Sequence, residues 1–340
     1  MKAAVYHGPN RPLDLTDVPK PAPRAGEALI RVQGCGLCHT DLHYIEHGVK
    51  TFKPPPIVLG HEPAGIIAEL GPGVEARAVG DRVLIPAVYA CRNCEYCRKG
   101  RENLCENLIM LGNHVDGAYA EFIAVPAAVL VPVPASLQLE QACVIADALS
   151  TPYHAVKNRA RVRVGDTVAV VGCGGLGLNV VQCATVAGAR VIAIDINDEH
   201  LETARSLGAV ETVNSNEVER VDKHVRLLTD GGVDIAFEAI GQPATINLGF
   251  NLLRKGGRLC VIGFAHDPAP LNAGKLMFYE LEVVGSLGCG GGEYPEIMKL
   301  VEAGRLTLDP IVSGTLPLDD INEGFDRMRQ GKGVRWVVTP

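Results

Sequence analysis

The chain has 340 residues, a length that predicts two domains and a core large enough to be stable without disulfides. Its net charge of −7 argues against a general nucleic-acid binder or a protein that binds anionic membranes. Apolar runs stay shorter than the roughly 18 residues of a membrane span, and the first residues do not resemble a signal peptide, so we expect a cytoplasmic protein. Eleven cysteines, an odd number in a long chain, argue against a secreted disulfide framework and favour metal ligands or redox chemistry.

Short alternating apolar segments, separated by glycine and proline, predict an irregular, β-rich first part of the chain. The clearest of these segments are Ala28–Val32, Gly65–Leu70, Arg82–Ile85 and Ala118–Val125. The pattern changes after about residue 150, which we therefore take as a domain boundary.

From Thr167 onward, β-branched runs alternate with helical patterns, and this alternation predicts a parallel sheet covered by helices. The predicted strands are Thr167–Val171, Arg190–Asp195, Val210–Val213, Val233–Glu238, Arg258–Ile262 and Glu282–Ser286. The predicted helices are Leu176–Gly188, Glu199–Leu207, Val221–Thr229 and Ala244–Leu253. The end of the chain predicts a helix at Tyr294–Ala303 and a short strand near Val334–Val338, which we expect to pack on the first domain.

The β-rich part contains dispersed residues of the types that bind zinc. Cys38 lies in a polar segment, His61 follows 23 residues later, and Asp147 lies in an otherwise apolar stretch, where a carboxylate is costly unless it is paired or bound to a metal. These three ligands would leave the fourth position of a zinc ion open, as in catalytic zinc sites. Two alternatives remain: Cys143 could be the third ligand, or Cys35 and Cys38 could form a thiol pair.

Four further cysteines lie within 15 residues of one another: Cys91, Cys94, Cys97 and Cys105. Four thiolates close the tetrahedral coordination of zinc and leave no open position, so this loop predicts a structural zinc site. The alternative is a set of free or redox-active thiols. A nucleic-acid-binding zinc ribbon is disfavoured by the negative net charge and by the single short loop.

A glycine-rich loop follows the first strand of the predicted parallel sheet and opens a helix. Its motif has the form G-x-G-x-x-G and contains Gly172, Gly174, Gly175, Leu176 and Gly177. Asp195 ends the next strand, 23 residues after Gly172, where its carboxylate can accept hydrogen bonds from a ribose diol and repel a 2′-phosphate. The pattern predicts dinucleotide binding and favours NAD over NADP. The alternative is a flavin or nucleotide-sugar fold.

The order of these motifs resembles the zinc-dependent alcohol dehydrogenases of the medium-chain dehydrogenase/reductase superfamily. The similarity covers nearly the whole chain and extends to the late segment around residues 331–338. It implies an α/β protein with a GroES-like β-rich catalytic domain, residues 1–150 and 287–340. A Rossmann doubly wound parallel sheet fills residues 151–286, and the resemblance implies an active site in the cleft between the domains.

The resemblance also implies catalytic zinc on Cys38, His61 and a third ligand that is Cys or Asp in family members. That ligand is followed by Thr four positions later and by an aromatic residue two positions further. Asp147 fits this spacing through Thr151 and Tyr153, whereas Cys143 does not.

Four more residues match family positions with roles in catalysis. Thr40 matches a hydroxyl that relays a proton from the substrate oxygen, and His43 matches the base that passes it to solvent. Asp41 matches an acid that orients His61. Glu62 matches a glutamate beside the metal, which approaches zinc during ligand exchange.

The resemblance assigns cofactor contacts outside the glycine loop as well. Arg335 matches an arginine that reaches the cofactor phosphate, and Ile240 and Ile262 match segments that line the cofactor with less specificity. His39 replaces an arginine that contacts the pyrophosphate in many relatives. Because histidine is only partly charged at neutral pH, we expect a weaker and pH-dependent contact there.

We therefore expect reversible, NAD-dependent oxidation of a primary or secondary alcohol to an aldehyde or ketone, with two zinc ions per chain. The expected partner is a small alcohol or carbonyl substrate, and the expected assembly is a homotetramer, with a dimer as the alternative. The alternative functions are a polyol dehydrogenase, a zinc-containing NAD-binding regulator without turnover, and a zinc-free reductase of the same superfamily. The intact relay and zinc trio disfavour the regulator, and the four-cysteine loop disfavours the zinc-free reductase.

Overall fold

The computed structural model describes residues 1–340, which form two compact units. The first unit contains Met1–Ser150 and Gly288–Pro340, and the second contains Thr151–Leu287. No helix in either unit combines the length and apolar character needed to cross a bilayer. The expected α/β class is confirmed, with a GroES-like unit and a Rossmann-like parallel sheet.

The strands, in chain order, are β1 (Lys2–Tyr6), β2 (Asp14–Asp17), β3 (Glu27–Gly36), β4 (Ile57–Val58), β5 (Glu62–Leu70), β6 (Arg82–Leu84), β7 (Val88–Tyr89), β8 (Ile109–Met110), β9 (Phe122–Pro126), β10 (Val131–Pro132), β11 (Thr167–Val171), β12 (Arg190–Asp195), β13 (Glu211–Asn214), β14 (Val233–Glu238), β15 (Leu253–Val261), β16 (Glu282–Gly285), β17 (Val312–Pro317) and β18 (Arg335–Thr339). The α-helices are α1 (His39–Ile45), α2 (Glu95–Arg98), α3 (Leu139–Ala142), α4 (Ser150–His154), α5 (Gly175–Val186), α6 (Asp198–Ser206), α7 (Val221–Leu228), α8 (Pro243–Leu252), α9 (Ala273–Phe278), α10 (Tyr294–Glu302) and α11 (Ile321–Arg329). Short 3₁₀ turns and one π-helical segment, Ala155–Ala160, complete the elements.

The first unit is organised around β3, a strand of ten residues that pairs antiparallel with β5, β9 and β18. Its sheet has the order β10-β6-β5-β3-β18-β17, with β9 on β3. Gly36 at the end of β3 is paired with Glu62 at the start of β5. This register brings the segment after β3 next to the segment before β5, although the two are more than 20 residues apart in sequence.

The second unit contains a six-stranded sheet in the order β13-β12-β11-β14-β15-β16, in which all neighbouring pairs are parallel. Its middle strands are almost fully buried because helices cover both faces, as the continuous apolar runs predict. The strand order reverses direction between β11 and β14. The loops after these two strands therefore lie at the edge where α/β sheets bind ligands.

The structure differs from the sequence-based expectation at several elements. Strand β15 begins at Leu253, earlier than expected, because the Gly256–Gly257 pair lies within an irregular strand and does not end it. Helix α9 and helix α11 were not predicted, and neither were strands β1 and β17. Each of these elements is short, and a short apolar run does not distinguish a helix from a strand.

Candidate active site

The four clustered cysteines surround a space of the size of a zinc ion. The Sγ of Cys94 lies 3.5 Å from that of Cys97 and 3.9 Å from that of Cys105, and the Sγ atoms of Cys91 and Cys97 are 4.0 Å apart. Tetrahedral zinc with bonds of about 2.3 Å to sulfur requires sulfur–sulfur distances of about 3.8 Å. None of the four is in a disulfide, and all four ligand atoms lie within 4.8 Å of one another. The loop therefore fits a structural zinc ion.

Backbone N–H groups turned toward the sulfur atoms favour the thiolate form. The N–H groups of Cys91 and Asn107 donate to Sγ of Cys105 at 3.2 and 3.3 Å. Hydrogen bonds from the backbone, first from Asn93, lower the pKa of the Cys91 thiol to about 6. Because zinc binds thiolates, the lowered pKa of Cys91 reduces the cost of releasing its proton on metal binding, whereas desolvation and the neighbouring thiols raise the pKa of Cys97 to about 12.

A second cluster of ligand atoms lies in the same unit, near the paired ends of β3 and β5. The ligand atoms of Cys38, His61, Glu62 and Asp147 all lie within 4.8 Å of one another. Cys38, His61 and Glu62 are buried, and 21% of the Asp147 side chain is exposed. The structure thus brings together the three expected zinc ligands and the glutamate expected beside them.

The two alternative thiols lie outside this cluster of ligand atoms. Sγ of Cys143 donates to the carbonyl oxygen of Glu140 at 3.2 Å, within its own turn of chain. Cys35 is a free, buried thiol whose Sγ faces the carbonyl oxygen of Gly36. Burial raises the pKa of both thiols well above the usual cysteine value, which disfavours the thiolate that a metal requires.

The unsatisfied polar atoms of the cluster fit a metal ion. His61 is 1% exposed, yet neither of its ring nitrogens has a hydrogen-bond partner. Its Nδ1 lies 3.7 Å from Oδ1 of Asp41, and its Nε2 lies 3.8 Å from Oδ2 of Asp147. Buried polar atoms without partners are costly, and metal coordination removes that cost. The geometry suits coordination through Nε2 on one side and orientation by Asp41 on the other.

Charge in the cluster favours the thiolate of Cys38. Burial alone would raise the pKa of this thiol, but the positive charge of Arg335 and the neighbouring His61 outweigh burial and lower the pKa to about 7. The Cys38 side chain can therefore lose its proton near neutral pH, as a zinc ligand must.

Glu62 and Arg335 form a buried pair beside the cluster. A guanidinium nitrogen of Arg335 lies 3.6 Å from Oε1 of Glu62, and Arg335 donates to the carbonyl oxygen of Leu37 at 2.8 Å. Burial raises the pKa of Glu62 to about 8 despite the attraction of Arg335. A Cβ at Gly36 would overlap the Glu62 carboxylate, so a larger residue there would displace the Glu62 side chain. Arg335 is 3% exposed, and its contact with cofactor phosphate stays a prediction.

Helix α1 carries the residues expected to relay protons. It begins at His39, directly after the candidate ligand Cys38, so Thr40, Asp41 and His43 follow that cysteine within two turns. The Thr40 hydroxyl lies 3.6 Å from Sγ of Cys38. Asp41 is fully buried, whereas His43 is half-buried.

His39 begins helix α1, directly after Cys38. Although this residue is exposed overall, partial desolvation of its ring lowers its pKa to about 4, with further contributions from Arg335 and His43. A lowered pKa reduces the positive charge of this side chain near neutral pH. The contact of His39 with a pyrophosphate stays a prediction.

Three residues that were not expected from the sequence support the cluster. The Tyr119 hydroxyl donates to Oδ2 of Asp41 at 2.8 Å, inside the core. The hydroxyls of Tyr294 and Ser150 lie 2.7 and 3.1 Å from the carbonyl oxygen of Ala146, the residue before Asp147. Tyr119 and Tyr294 carry no local signal because their partners lie 78 and 148 residues away in sequence, whereas Ser150 and Ala146 are only four residues apart.

The glycine loop of the second unit has the geometry expected for a dinucleotide site. Gly172 follows β11 with φ of 90°, a left-handed conformation that favours glycine. A Cβ at Gly177 would overlap the carbonyl oxygen of Gly172, whereas a Cβ at Gly174 would meet nothing within 4 Å. Helix α5 begins at Gly175 and continues through Leu176. The loop therefore leaves open space at Gly174, directly before the N-terminus of the helix, where a phosphate is favoured.

Asp195 lies at the end of β12 and is held toward this loop. Its Oδ2 accepts a hydrogen bond from the N–H of Cys173 at 2.5 Å, and its Oδ1 accepts one from the N–H of Asn197 at 2.9 Å. Burial alone would raise the pKa of Asp195, but hydrogen bonds from His200 and from these backbone N–H groups outweigh burial and lower it. The Asp195 side chain is therefore an anion at neutral pH.

Two isoleucines expected to line the cofactor also lie in the second unit. Ile240 is 44% exposed, and its side chain occupies the space that a Cβ at Gly172 would take. Ile262 follows β15, and its N–H donates to the carbonyl oxygen of Glu238 at the end of β14. Both positions are thus at the carboxyl edge of the parallel sheet.

Comparison with known proteins agrees with this architecture. The family model described as an alcohol dehydrogenase GroES-like domain matches residues 24–135, and the model described as a zinc-binding dehydrogenase matches residues 175–303. An alcohol dehydrogenase of Geobacillus stearothermophilus is 36% identical over 336 residues, covering 98% of this chain and 97% of that protein. A probable S-(hydroxymethyl)glutathione dehydrogenase of Schizosaccharomyces pombe is 35% identical, covering 99% of this chain and 96% of that protein.

Solved structures of alcohol dehydrogenases share this fold. The crystal structure of an NAD-dependent alcohol dehydrogenase superposes with a TM-score of 0.92 and 31% sequence identity, covering 100% of both chains. A GroES-like unit with buried metal-ligand residues and a Rossmann-like unit together define a zinc-type oxidoreductase. The chain belongs to the zinc-type alcohol dehydrogenases of the medium-chain dehydrogenase/reductase superfamily.

Proposed function

We propose that the protein catalyses reversible, NAD-dependent oxidation of a primary or secondary alcohol to an aldehyde or ketone. The observation that carries this proposal is the buried cluster of Cys38, His61 and Asp147, whose imidazole nitrogens have no hydrogen-bond partner. The Cys38 thiolate and the Asp147 carboxylate would balance the charge of a zinc ion. Together with the neutral imidazole of His61, they would leave one position for substrate oxygen. Zinc bound there supplies Lewis acidity, which makes an alcohol oxygen more acidic or polarises a carbonyl.

The protein's own residues hold and orient this site. Asp41 faces Nδ1 of His61 at 3.7 Å and keeps Nε2 of that ring directed toward Asp147. Glu62, whose Oε1 is 3.6 Å from Arg335, lies close enough to the cluster to replace a departing ligand. The tyrosine and serine hydroxyls behind Asp41 and Asp147 stiffen the two segments that carry them.

Proton transfer completes the proposed chemistry. The Thr40 hydroxyl, next to Cys38, passes the proton of a substrate hydroxyl outward, and His43 accepts it as general base. In the reverse direction the same groups return a proton to the nascent alcohol.

The preferred cofactor is NAD. The anionic Asp195 accepts hydrogen bonds and would repel a 2′-phosphate, which favours a free ribose diol. The related NAD-dependent alcohol dehydrogenase supports the same choice. NAD serves as the hydride acceptor in such reactions.

A panel of alcohols and aldehydes, assayed with NAD and with NADP, tests this function and identifies the substrate. We expect turnover with NAD and about two zinc ions per chain by metal analysis. Asp147→Ala should reduce the zinc content to about one and abolish turnover while the protein stays folded. The matched control is Cys143→Ala, which should keep both ions. Full activity of Asp147→Ala, or loss of a zinc ion in Cys143→Ala, would reject Asp147 as the ligand.

The four-cysteine loop is proposed to bind the second zinc ion.

The assembly is proposed to be a homotetramer. Light scattering of the purified holoenzyme measures its mass directly. A mass of four chains agrees with the proposal, and a mass of two selects the dimer.

A further inference from the structure

Two imidazole rings lie in contact at the outer end of α1. Nδ1 of His43 is 3.0 Å from Nδ1 of His47, and the ring centroids are 5.2 Å apart. His43 is half-buried, whereas His47 is exposed. We propose that His47 takes the proton from His43 and releases it to solvent, so that the exit path contains two imidazoles. This proposal rests on the alcohol dehydrogenase function proposed above.

The backbone fixes the position of His47. Its N–H donates to the carbonyl oxygen of His43 at 3.2 Å, and the N–H of Val49 donates to the same oxygen at 3.2 Å. Gly48 then reverses the chain with φ of 65°. Residues four positions apart lie on one face of a helical turn, so the two rings meet through local geometry.

The hydrogen bond between the rings allows one proton to be passed on. Only one of two facing Nδ1 atoms can carry a hydrogen, so one ring donates and the other accepts. When Nε2 of His43 gains a proton, its Nδ1–H bond can break as an Nδ1–H bond forms on His47. His47 then loses its Nε2 proton to water, and no electrons are exchanged. One proton enters at His43 and one leaves at His47, while ring rotation and exchange with water restore the starting tautomers.

The neighbouring carboxylates are engaged elsewhere, so His47 is the group placed to accept a proton from His43 at this end of the helix. The charged or titratable neighbours of the pair are His39, Asp41 and Glu46 from the same segment, Arg329 of α11 and Arg335 of β18. The Glu46 carboxylate accepts a hydrogen bond from Arg329, and Asp41 is buried against Tyr119. Neither carboxylate is therefore placed to carry protons from His43 to water.

Two variants of His47 separate proton transfer from ring positioning. His47→Asn keeps a polar atom near the position of Nδ1 but cannot pass a proton, and His47→Ala removes both functions. We measure the proton-release burst of the zinc-loaded enzyme with a pH-indicator dye, together with the pH profile of kcat. A positioned proton acceptor contributes about 10²–10⁴-fold, and His47 acts one step beyond it, so we expect about a tenfold slower burst in both variants.

Added imidazole should restore the burst of His47→Ala, because a free base can occupy the vacated space. His7→Asn is the control, since His7 is also exposed in the first unit but pairs with Asp14 and not with His43. A normal burst in His47→Asn with a slow burst in His47→Ala means that His47 only positions His43, and it overturns the proposal. Normal bursts in both variants overturn it as well.

His43→Ala distinguishes failure of this proposal from failure of the proposed function. If His43→Ala slows the burst and the His47 variants do not, only the two-imidazole path is wrong. If His43→Ala has no effect, the relay itself is wrong. Nitrogen-15 NMR of the histidine rings provides a readout without turnover: the shared Nδ1–H signal should be present in the wild type and absent in His47→Ala. Absence of this signal in the wild type contradicts the proposal.

Discussion

The Tyr119 hydroxyl donates a hydrogen bond of 2.8 Å to Oδ2 of Asp41, and the other oxygen of Asp41 lies 3.7 Å from Nδ1 of His61. All three side chains are buried. Tyr119 is therefore the outermost member of a chain of contacts that ends at His61, the proposed metal ligand, and its effect on metal binding is testable.

Tyr119→Phe should weaken zinc binding at the buried cluster by about 10- to 100-fold, because Asp41 loses the donor that holds it against His61. The free energy of unfolding should fall by about 1–3 kcal/mol, since a buried carboxylate oxygen loses its partner. Competition with a chelator measures the affinity, and denaturant titration measures the stability.

Tyr6→Phe is the matched control for this prediction. Tyr6 is buried in the same unit, but its hydroxyl donates to the carbonyl oxygen of Tyr44 at 2.8 Å. The Tyr6→Phe variant should lose about 1 kcal/mol in the free energy of unfolding and keep the zinc affinity of the wild type. Equal zinc affinities in the two variants would show that Tyr119 does not act through Asp41.

Removal of one thiol from the four-cysteine loop should release one zinc ion and leave the buried cluster loaded. We expect this of Cys97→Ser, because the remaining three thiolates no longer close the tetrahedron around the metal. Metal analysis should fall from about two zinc ions per chain to about one, with a lower melting temperature.

The control for the loop is Cys183→Ser, a buried cysteine of α5 outside both clusters. It should keep both ions even if its stability falls. Retention of two ions in Cys97→Ser would contradict a structural zinc site in this loop.

Two glycines of the dinucleotide loop should respond differently to the same substitution. Gly177→Ala places a Cβ against the carbonyl oxygen of Gly172 and should cost about 1–3 kcal/mol of stability. Gly174→Ala meets open space and should change the stability of the cofactor-free protein by less than about 0.5 kcal/mol. Denaturant titration without cofactor gives both values, and equal losses would contradict the close approach.

Asp195 should make a stability contribution that depends on pH. Its pKa in the folded protein lies below the unfolded value of about 3.9, so its interactions stabilise the fold above that pH and are lost as the pH falls through it. Asp195→Asn should destabilise the cofactor-free protein by about 1–3 kcal/mol at pH 7, because an amide N–H₂ faces backbone N–H donors.

The difference in the free energy of unfolding between Asp195→Asn and the wild type should shrink as the pH falls below about 4. Denaturant titrations at neutral and acidic pH measure it, since other carboxylates lose their interactions equally in both proteins. Glu202→Gln, on the exposed face of α6, should stay within about 0.5 kcal/mol of the wild type. A difference that grows on acidification would mean that Asp195 is not the stabilising anion.

The sequence by itself determined the features that depend on neighbouring residues. The alternation of strand and helix after residue 167, the glycine loop and the four cysteines within 15 residues all follow from local spacing. A backbone turn or a short metal-binding loop forms from residues close in sequence, so its pattern can be predicted without any knowledge of distant contacts.

Only the tertiary structure decided how the dispersed residues meet. The antiparallel register of β3 and β5 brings Cys38 and His61 together, and Asp147 joins them while Cys143 turns toward its own backbone. The burial of Glu62 against Arg335 and the support of Asp41 by Tyr119 depend likewise on contacts between distant segments. Such contacts carry no local periodicity, because they arise when separate strands and loops pack into one core.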